Sequence, residues 1–114
     1  MLNVTIAAHT VSVLNRREHW SARAKRAKSH RELAKWTLCA TWTPIPAPWV
    51  VTLTRIAPRE LDRHDNLSAS MKACADGVAD FLGINDRDPR VTWRYAQEKG
   101  KPREYAVRIE VEAA

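Results

Sequence analysis

The stretch ELDRHDNLSASMKACADGVADFLGINDRDP, residues 60–89, carries the clearest structural pattern in the chain. Its apolar residues recur at steps of three or four positions: Leu67, Met71, Cys74, Val78 and Leu82. This spacing is typical of a helix that turns one side toward a core. Gly83 is suited to end the helix, because glycine adopts the left-handed conformation found after many helix C-termini. The pattern predicts a helix over residues 66–82.

Acidic residues stand at both ends of this helix, with Asp62 and Asp65 before it and Asp86 and Asp88 after it. A straight helix of this length spans roughly 25 Å, which would keep the two groups apart. Three possibilities remain open from the sequence. In the first, the two groups have different roles. In the second, the ordered helix begins later than Asn66, Asp65 lies on the preceding strand and the 86–88 loop folds back along the helix. In the third, a symmetric dimer brings the acidic end of one subunit to a site of the other.

Convergence of these carboxylates would indicate a metal site. Two unpaired charges about 4 Å apart repel by roughly 4 kcal/mol at an effective dielectric of 20, and a divalent cation reverses that sign. Carboxylate oxygens suit Mg²⁺, which takes one or two of them and keeps several waters, or Mn²⁺. Lys72 leans toward the N-terminal end of the helix and would reach a phosphate near Asp65.

A purely structural reading of the same residues stays open. Aspartate and asparagine are common helix caps, so Asp65 or Asn66 would cap the helix start. The sequence INDRDP has the composition of a turn before proline. Lys72 and Asp76 are four positions apart and would form an ordinary ion pair on a helix surface.

The basic charge of the chain is concentrated near its N-terminus. The net charge is +6, and residues 1–42 hold eight Lys or Arg against two Glu, so this segment accounts for the whole excess. A positive surface of this kind suits a polyanion such as DNA, whereas a solvated helix face is the alternative. The candidate contacts to the DNA backbone are Arg16, Arg17, Arg23, Arg26 and Lys28.

The remaining elements complete a two-layer fold. LNVTIAA alternates like a strand, and WVVTLTRIA is β-rich and predicted to be central in a sheet. An amphipathic, basic helix is predicted from about Glu18 to Trp42, with an apolar stripe of Trp20, Ala24, Ala27, Ala34 and Leu38. After the acidic helix, RVTWRYAQ and REYAVRIEVE are predicted as strands joined by EKGKP into a hairpin. The order β-α-β-α-β-β predicts a single α/β (α+β) domain over residues 1–114, with two main helices on a mixed four-stranded sheet.

Composition is that of an ordinary folded protein. The 114 residues are 45% hydrophobic and 28% charged, and no apolar run approaches the ~18 residues of a membrane span. Neither a membrane location nor export is expected. Cys39 and Cys74 form no CxxC pair and are expected to be reduced, buried thiols. The five tryptophans are expected mainly in the core, with stacking on a nucleic-acid base as the alternative for Trp20.

Residues 58–97 carry a resemblance to a known family. LDRHDNLSASMKACADGVADFLGINDRDPRVTW resembles the signature of RusA-type crossover junction endodeoxyribonucleases, in which Asp-Asn-Leu leads into a helix with a lysine and an Asp-Gly or Asp-Ala step. An acidic turn and a strand follow. The SVLNRREHW loop is similar in kind but more weakly so. The resemblance implies a Mg²⁺-dependent homodimer that binds four-way DNA junctions and makes paired nicks, in the cytoplasm of a bacterium or phage-infected cell.

The resemblance also implies roles for individual residues. Asp65 matches the aspartate of Asp-Asn-Leu, and Lys72 matches the helix lysine. Asp86 and Asp88 share the downstream acidic position, so that Mg²⁺ would be held by Asp65 and one or both of them. The family usually has Asp-x-Asp-Asn-Leu, whereas this chain has Arg63 at the first aspartate and the nearest acid, Asp62, one residue earlier. Asp62 would then assist only if a bulge or loop turned it back, and His64 is another candidate ligand.

Two other functions remain compatible with the sequence. A shifted Asp62 would also fit a non-catalytic DNA-binding or junction-binding protein with a degenerate metal site. A general structure-selective or single-strand nuclease would cut forks, flaps and junctions alike. Cleavage of a synthetic four-way junction, compared with cleavage of forks and flaps, separates the three.

Overall fold

The computed structural model describes residues 1–10, 20–61 and 67–114 as four strands and three helices. The strands are β1 (Leu2–Ile6), β2 (Trp49–Ala57), β3 (Val91–Lys99) and β4 (Ala106–Ala113). The helices are α1 (Trp20–Cys39), α2 (Leu67–Ser70) and α3 (Lys72–Leu82). This confirms the predicted α+β class and the order β-α-β-α-β-β, with the second predicted helix divided in two.

The four strands form one mixed sheet in the order β1-β4-β2-β3. β4 is antiparallel to both β1 and β2, and β2 is parallel to β3. β2 is therefore central, as predicted. The predicted hairpin of β3 and β4 is wrong, because β2 lies between them. A parallel β2–β3 pair needs a crossover, and α2 and α3 supply it.

The helices cover one face of the sheet. Successive strand residues point to opposite faces, and the face toward the helices carries the core. Its fully buried members include Val51 and Leu53 of β2 and Ile109 of β4, which pack with Cys74 and Val78 of α3. The result is the predicted two-layer arrangement.

The acidic helix has the predicted apolar stripe but not the predicted continuity. Leu67, Met71, Cys74 and Val78 are buried. The helix is interrupted at Met71, whose φ of −109° and ψ of 11° depart from helical values. Ser70 contributes to the break, because its hydroxyl donates a 2.7 Å hydrogen bond to the carbonyl of Leu67 and competes with the helical pattern. The predicted caps, Asp65 and Asn66, lie outside the described residues.

The two cysteines are free thiols, as predicted. Cys74 is fully buried in the core, and Cys39 is half-buried at the end of α1. Burial raises the pKa of the Cys74 thiol to about 12, so this side chain stays neutral and acts as a small apolar core residue.

Helix α1 is far more exposed than its sequence pattern predicts. Only Ala34 and Leu38 are buried, whereas Ala24 and Ala27 of the predicted stripe are exposed. The two buried residues lie in the C-terminal half of α1, where Gly77 of α3 approaches the helix at Arg31 and Ala34. In the part of the chain that the structure describes, no helix combines the length and the apolar character that crossing a membrane requires.

The tryptophan prediction holds for only part of the set. Trp49 is buried and Trp93 is half-buried against the core. Trp20, Trp36 and Trp42 are instead 73%, 61% and 90% exposed. The core prediction is therefore wrong for these three residues, because they lie on α1 and just beyond its end, outside the helix–sheet contact.

Candidate functional site

Lys72 and two aspartates form a charged cluster at the start of α3. The Nζ of Lys72 lies 3.2 Å from Oδ1 of Asp76 and 3.3 Å from Oδ2 of Asp86. Hydrogen bonds to Asp76 and then Asp86 outweigh burial and raise the pKa of Lys72, which therefore stays charged at neutral pH. The predicted ion pair between Lys72 and Asp76 on the helix surface is confirmed. Asp86 is a second partner of Lys72, which the sequence pattern did not indicate.

The turn after α3 brings Asp86 back toward Lys72. Gly83 ends the helix with a left-handed φ of 70°, and the N–H of Ile84 bonds the carbonyl of Ala79 at 3.0 Å. Trp93 of β3 then fixes the turn, because its Nε1 donates a 3.0 Å hydrogen bond to the carbonyl of Asp86. Of the possibilities left open by the sequence, the return of the chain along the helix is therefore realised for Asp86.

Asp88 has a different local environment from Asp86. Its Oδ2 accepts a 2.9 Å hydrogen bond from Nη2 of Arg90, while its Oδ1 accepts bonds from Nε and the backbone N–H of the same residue. The Arg90 guanidinium also lies 5.3 Å from the centre of the Trp49 ring. Asp88 therefore shapes the turn before β3, and its carboxylate is not in the Lys72 cluster.

The Arg90 contacts predict an acid-resistant carboxylate at Asp88. They lower its pKa to about 2, so it stays ionised as pH falls through the ordinary range near 3.9. Because the folded pKa is depressed, its contribution to stability is present above about pH 4 and is lost as pH falls toward 2. Carbon-detected NMR titration should give this low value in the wild type and a higher one in Arg90→Gln, which loses the guanidinium but keeps the backbone N–H bond to Asp88. A wild-type Asp88 that titrates near 3.9 would contradict the contact.

Two cavities adjoin Lys72. The first, the Asp86 cavity, has a volume of about 380 Å³ and is lined by Ser68, Ala69, Lys72, Ala75, Asp86, Trp93 and Tyr95. Burial raises the pKa of the Tyr95 hydroxyl, which therefore stays protonated and available as a hydrogen-bond donor. The second, the α1 cavity, has a volume of about 210 Å³ and lies between α1 and the helix pair. Lys72 and Ala69 line both, so the cavities are neighbours.

The predicted DNA-contacting residues fall into three groups. Arg23 and Arg26 line the α1 cavity, next to Lys72 and Asp76. Lys28 is exposed on α1 and lines neither cavity beside Lys72. Arg16 and Arg17 lie outside the described residues, as do Asp62 and Asp65. The structure thus brings two of the five predicted basic residues to the cluster.

Helix α1 is held in place by an ion pair with α3. Nε and Nη2 of Arg31 donate hydrogen bonds of 2.7 and 2.9 Å to the two carboxylate oxygens of Asp80. A further Arg31 nitrogen lies 4.0 Å from Asp76. Gly77 allows the close approach, because a Cβ there would collide with the carbonyl of Arg31 and lie 2.8 Å from Cβ of Ala34. These contacts set the position of Arg23 and Arg26 relative to Lys72.

Arg55 and Gln97 hold the chain on either side of the site. Arg55 is only 6% exposed and donates hydrogen bonds to Oγ1 of Thr10 at 3.0 Å and to the carbonyl of Arg59 at 2.6 Å. Gln97 bonds both the N–H and the carbonyl of Leu61, at 2.9 and 2.8 Å. Thr10 and Leu61 directly precede residues 11–19 and 62–66. Strand residues therefore fasten the chain just before both predicted functional segments.

Sequence reasoning missed several residues of the site. Tyr95 and Trp93 were predicted only as strand residues, and Arg55 was read as part of a β-rich run. The sequence did contain one signal for these residues, because the alternation of β3 places Trp93, Tyr95 and Gln97 on one face of the sheet. The sequence alone did not show that the helices cover this face, so the alternation did not identify a site.

Two comparisons with known proteins were made for this chain, one with protein-family models and one with curated proteins. No protein-family model matches the chain, and no curated protein matches it significantly. The resemblance of residues 58–97 to RusA-type nucleases therefore stays a prediction from the residues themselves.

Proposed function

We propose that this chain is a Mg²⁺-dependent endodeoxyribonuclease of the RusA type, which resolves four-way DNA junctions by paired nicks. The observation that carries the proposal is the return of Asp86 to Lys72 across the turn that follows α3. As a result, the ammonium of Lys72 and the carboxylate of Asp86, which come from separate parts of the RusA-like signature, line the same cavity. Arg23 and Arg26 line the neighbouring α1 cavity, which Lys72 also lines.

The residues of the cavity fit a hard divalent cation. The Asp86 side chain is 40% exposed and lines the cavity, so its oxygens are accessible to an ion. Mg²⁺ ordinarily takes one or two protein carboxylates and fills its octahedron with water. Within the described ranges, no three His, Cys, Asp or Glu side chains form a complete metal site. Asp86 would therefore hold the ion together with Asp65, assisted by Asp62.

The bound ion would activate water and stabilise charge on a phosphodiester. Lys72 contributes a second positive charge that the protein itself supplies. Its ammonium lies at the mouth of the cavity, 65% exposed, where a phosphate oxygen can replace a carboxylate as its partner. Such a charge stabilises the developing negative charge of the transition state.

The basic residues of α1 supply the DNA contacts. Arg23 and Arg26 would bind phosphates next to the cleaved bond, and Lys28, Arg16 and Arg17 would bind the backbone farther away. A homodimer would present two such cavities, as paired nicks require. Such an enzyme would act on branched DNA in the cytoplasm of a bacterial or phage-infected cell.

A Lys72→Met variant tests the proposal. We expect cleavage of a synthetic four-way junction in Mg²⁺ to fall by about 100- to 1,000-fold, as for loss of one transition-state donor. Junction binding in EDTA should weaken far less, because one phosphate contact among many is lost. Lys101→Met is the matched control, since Lys101 is exposed and lines neither cavity. Wild-type protein that binds junctions but cuts none of them in Mg²⁺ or Mn²⁺ would overturn the enzyme assignment.

The second candidate is a junction-binding protein without catalytic activity. One observation favours it: the ammonium of Lys72 already pairs with both Asp76 and Asp86 and offsets part of their charge, which lessens their need for a metal ion. The same assay separates the candidates, because this protein would bind four-way junctions and leave them intact under every metal condition. Equal cutting of forks, flaps and junctions would instead indicate a general structure-selective nuclease.

A further inference from the structure

A continuous surface leads from the Asp86 cavity across α1. The Asp86 cavity and the α1 cavity share Lys72, and the α1 cavity shares Arg26 and His30 with a third depression on α1. This third depression, the basic groove, has a volume of about 710 Å³ and reaches from Lys25 and Arg26 to Trp36. The candidate site is therefore one end of a longer track.

The far end of the track is an exposed aromatic ring. Trp36 is 61% exposed, although a tryptophan side chain carries a large apolar surface. The Nζ of Lys35 lies 4.7 Å from the centre of its ring, which places a positive charge beside the indole. An exposed ring next to cations is the combination with which proteins bind unpaired bases, whose planes stack on aromatic side chains.

Charge and length also match a nucleic-acid strand. Of the six Lys or Arg of helix α1, three line the track, namely Arg23, Lys25 and Arg26, and Lys35 lies beside Trp36. Glu32 is the one acid that α1 contributes to the basic groove. Between Arg23 and Trp36 the helix extends for roughly 20 Å. The track is therefore long enough to contact several phosphates of one strand.

We propose that this track binds a single DNA strand that extends from the Asp86 cavity, with one unpaired base stacked on Trp36. The inference rests on the proposed nuclease function and defines where its substrate continues beyond the cleaved bond. An unpaired base is required because a base within an intact duplex already stacks on its neighbours. Branched DNA supplies such bases where its arms open.

The experiment measures binding of a fluorescent thymidine oligonucleotide, a duplex and a four-way junction in EDTA, where nothing is cut. Trp36→Ala should weaken oligonucleotide binding by about 5- to 100-fold, as for other base-stacking residues, and leave duplex binding unchanged. The slope of log affinity against log salt should stay the same, since no charge is removed. Lys25→Gln should instead lower that slope by about 0.7.

Trp42→Ala is the comparison that tests the groove itself, because Trp42 is 90% exposed and shares a neighbouring cavity with Trp36 but does not line the basic groove. It should leave oligonucleotide binding unchanged. If the Trp36→Ala variant bound the oligonucleotide as tightly as the wild type does, the proposal would be overturned. So would equal losses in both variants with a reduced mass in sedimentation, which would assign the surface to a second copy of the chain. Binding in EDTA is independent of cleavage, so a failure here is distinct from a failure of the nuclease assignment.

Discussion

Asp86→Asn should lower junction cleavage at least about 100-fold, since even groups that only orient a metal ligand contribute 10- to 100-fold. The substitution keeps the shape of the side chain and removes the negative charge beside Lys72. We expect a higher Mg²⁺ requirement together with the lower rate, and an unchanged fold. The measurement is the initial rate of nicking against Mg²⁺ concentration, with melting followed by circular dichroism.

Asp88→Asn is the control that uses the neighbouring acid. Asp88 is held by Arg90 in the turn before β3, so its substitution should alter stability and leave the Mg²⁺ requirement of cleavage close to that of the wild type. The sequence alone does not distinguish the two aspartates, because both stand in the acidic turn that follows the helix. If Asp88→Asn abolished cleavage while Asp86→Asn did not, the assignment of Asp86 to the site would be wrong.

Gly77→Ala should destabilise the protein by about 1–3 kcal/mol, as overpacking of a tight contact does. The direction of this change is informative, because replacing glycine with alanine within a helix ordinarily stabilises a protein by about 0.5–1 kcal/mol. A Cβ at Gly77 would collide with the carbonyl of Arg31 and lie 2.8 Å from Ala34. Thermal and urea unfolding measure the change in the free energy of unfolding.

The same variant should also weaken junction binding, since pushing α1 from α3 moves Arg23 and Arg26 away from Lys72. Gly83→Ala provides the comparison. The Cβ added at residue 83 meets no atom within 4 Å, and the only strain comes from the backbone φ of 70°. This variant should therefore lower stability without moving α1. A Gly77→Ala protein more stable than the wild type would contradict the close packing of α1 on α3.

The sequence predicted the parts of the fold that local patterns encode. The apolar steps from Leu67 to Val78 specified which side of the acidic helix is buried, and the β-rich run of β2 indicated a central strand. Both depend on periodicity, which a single segment shows by itself. The pairing of β3 was not predictable in this way. A short connection to β4 favours a hairpin, whereas the crossover through α2 and α3 places β3 beside β2 instead.

The site was predictable only in its residue types. Asp86 and Asp88 share one acidic turn in the sequence, and the structure separates their roles by the contact of Lys72 with Asp86 and of Arg90 with Asp88. The exposure of Trp36 was not predictable either, because hydrophobicity favours burial unless a surface has another use. Asp62 and Asp65, together with Arg16 and Arg17, remain predictions that lie outside the described residues.

The most direct test is a crystal structure of the protein with Mn²⁺, in which anomalous scattering locates the ion. The account predicts an ion bound directly to the carboxylate of Asp86, beside Lys72 in the Asp86 cavity, with water completing its coordination. An ion bound only elsewhere, or an Asp86 that stays paired with Lys72 at saturating Mn²⁺ with no ion beside it, would contradict the account.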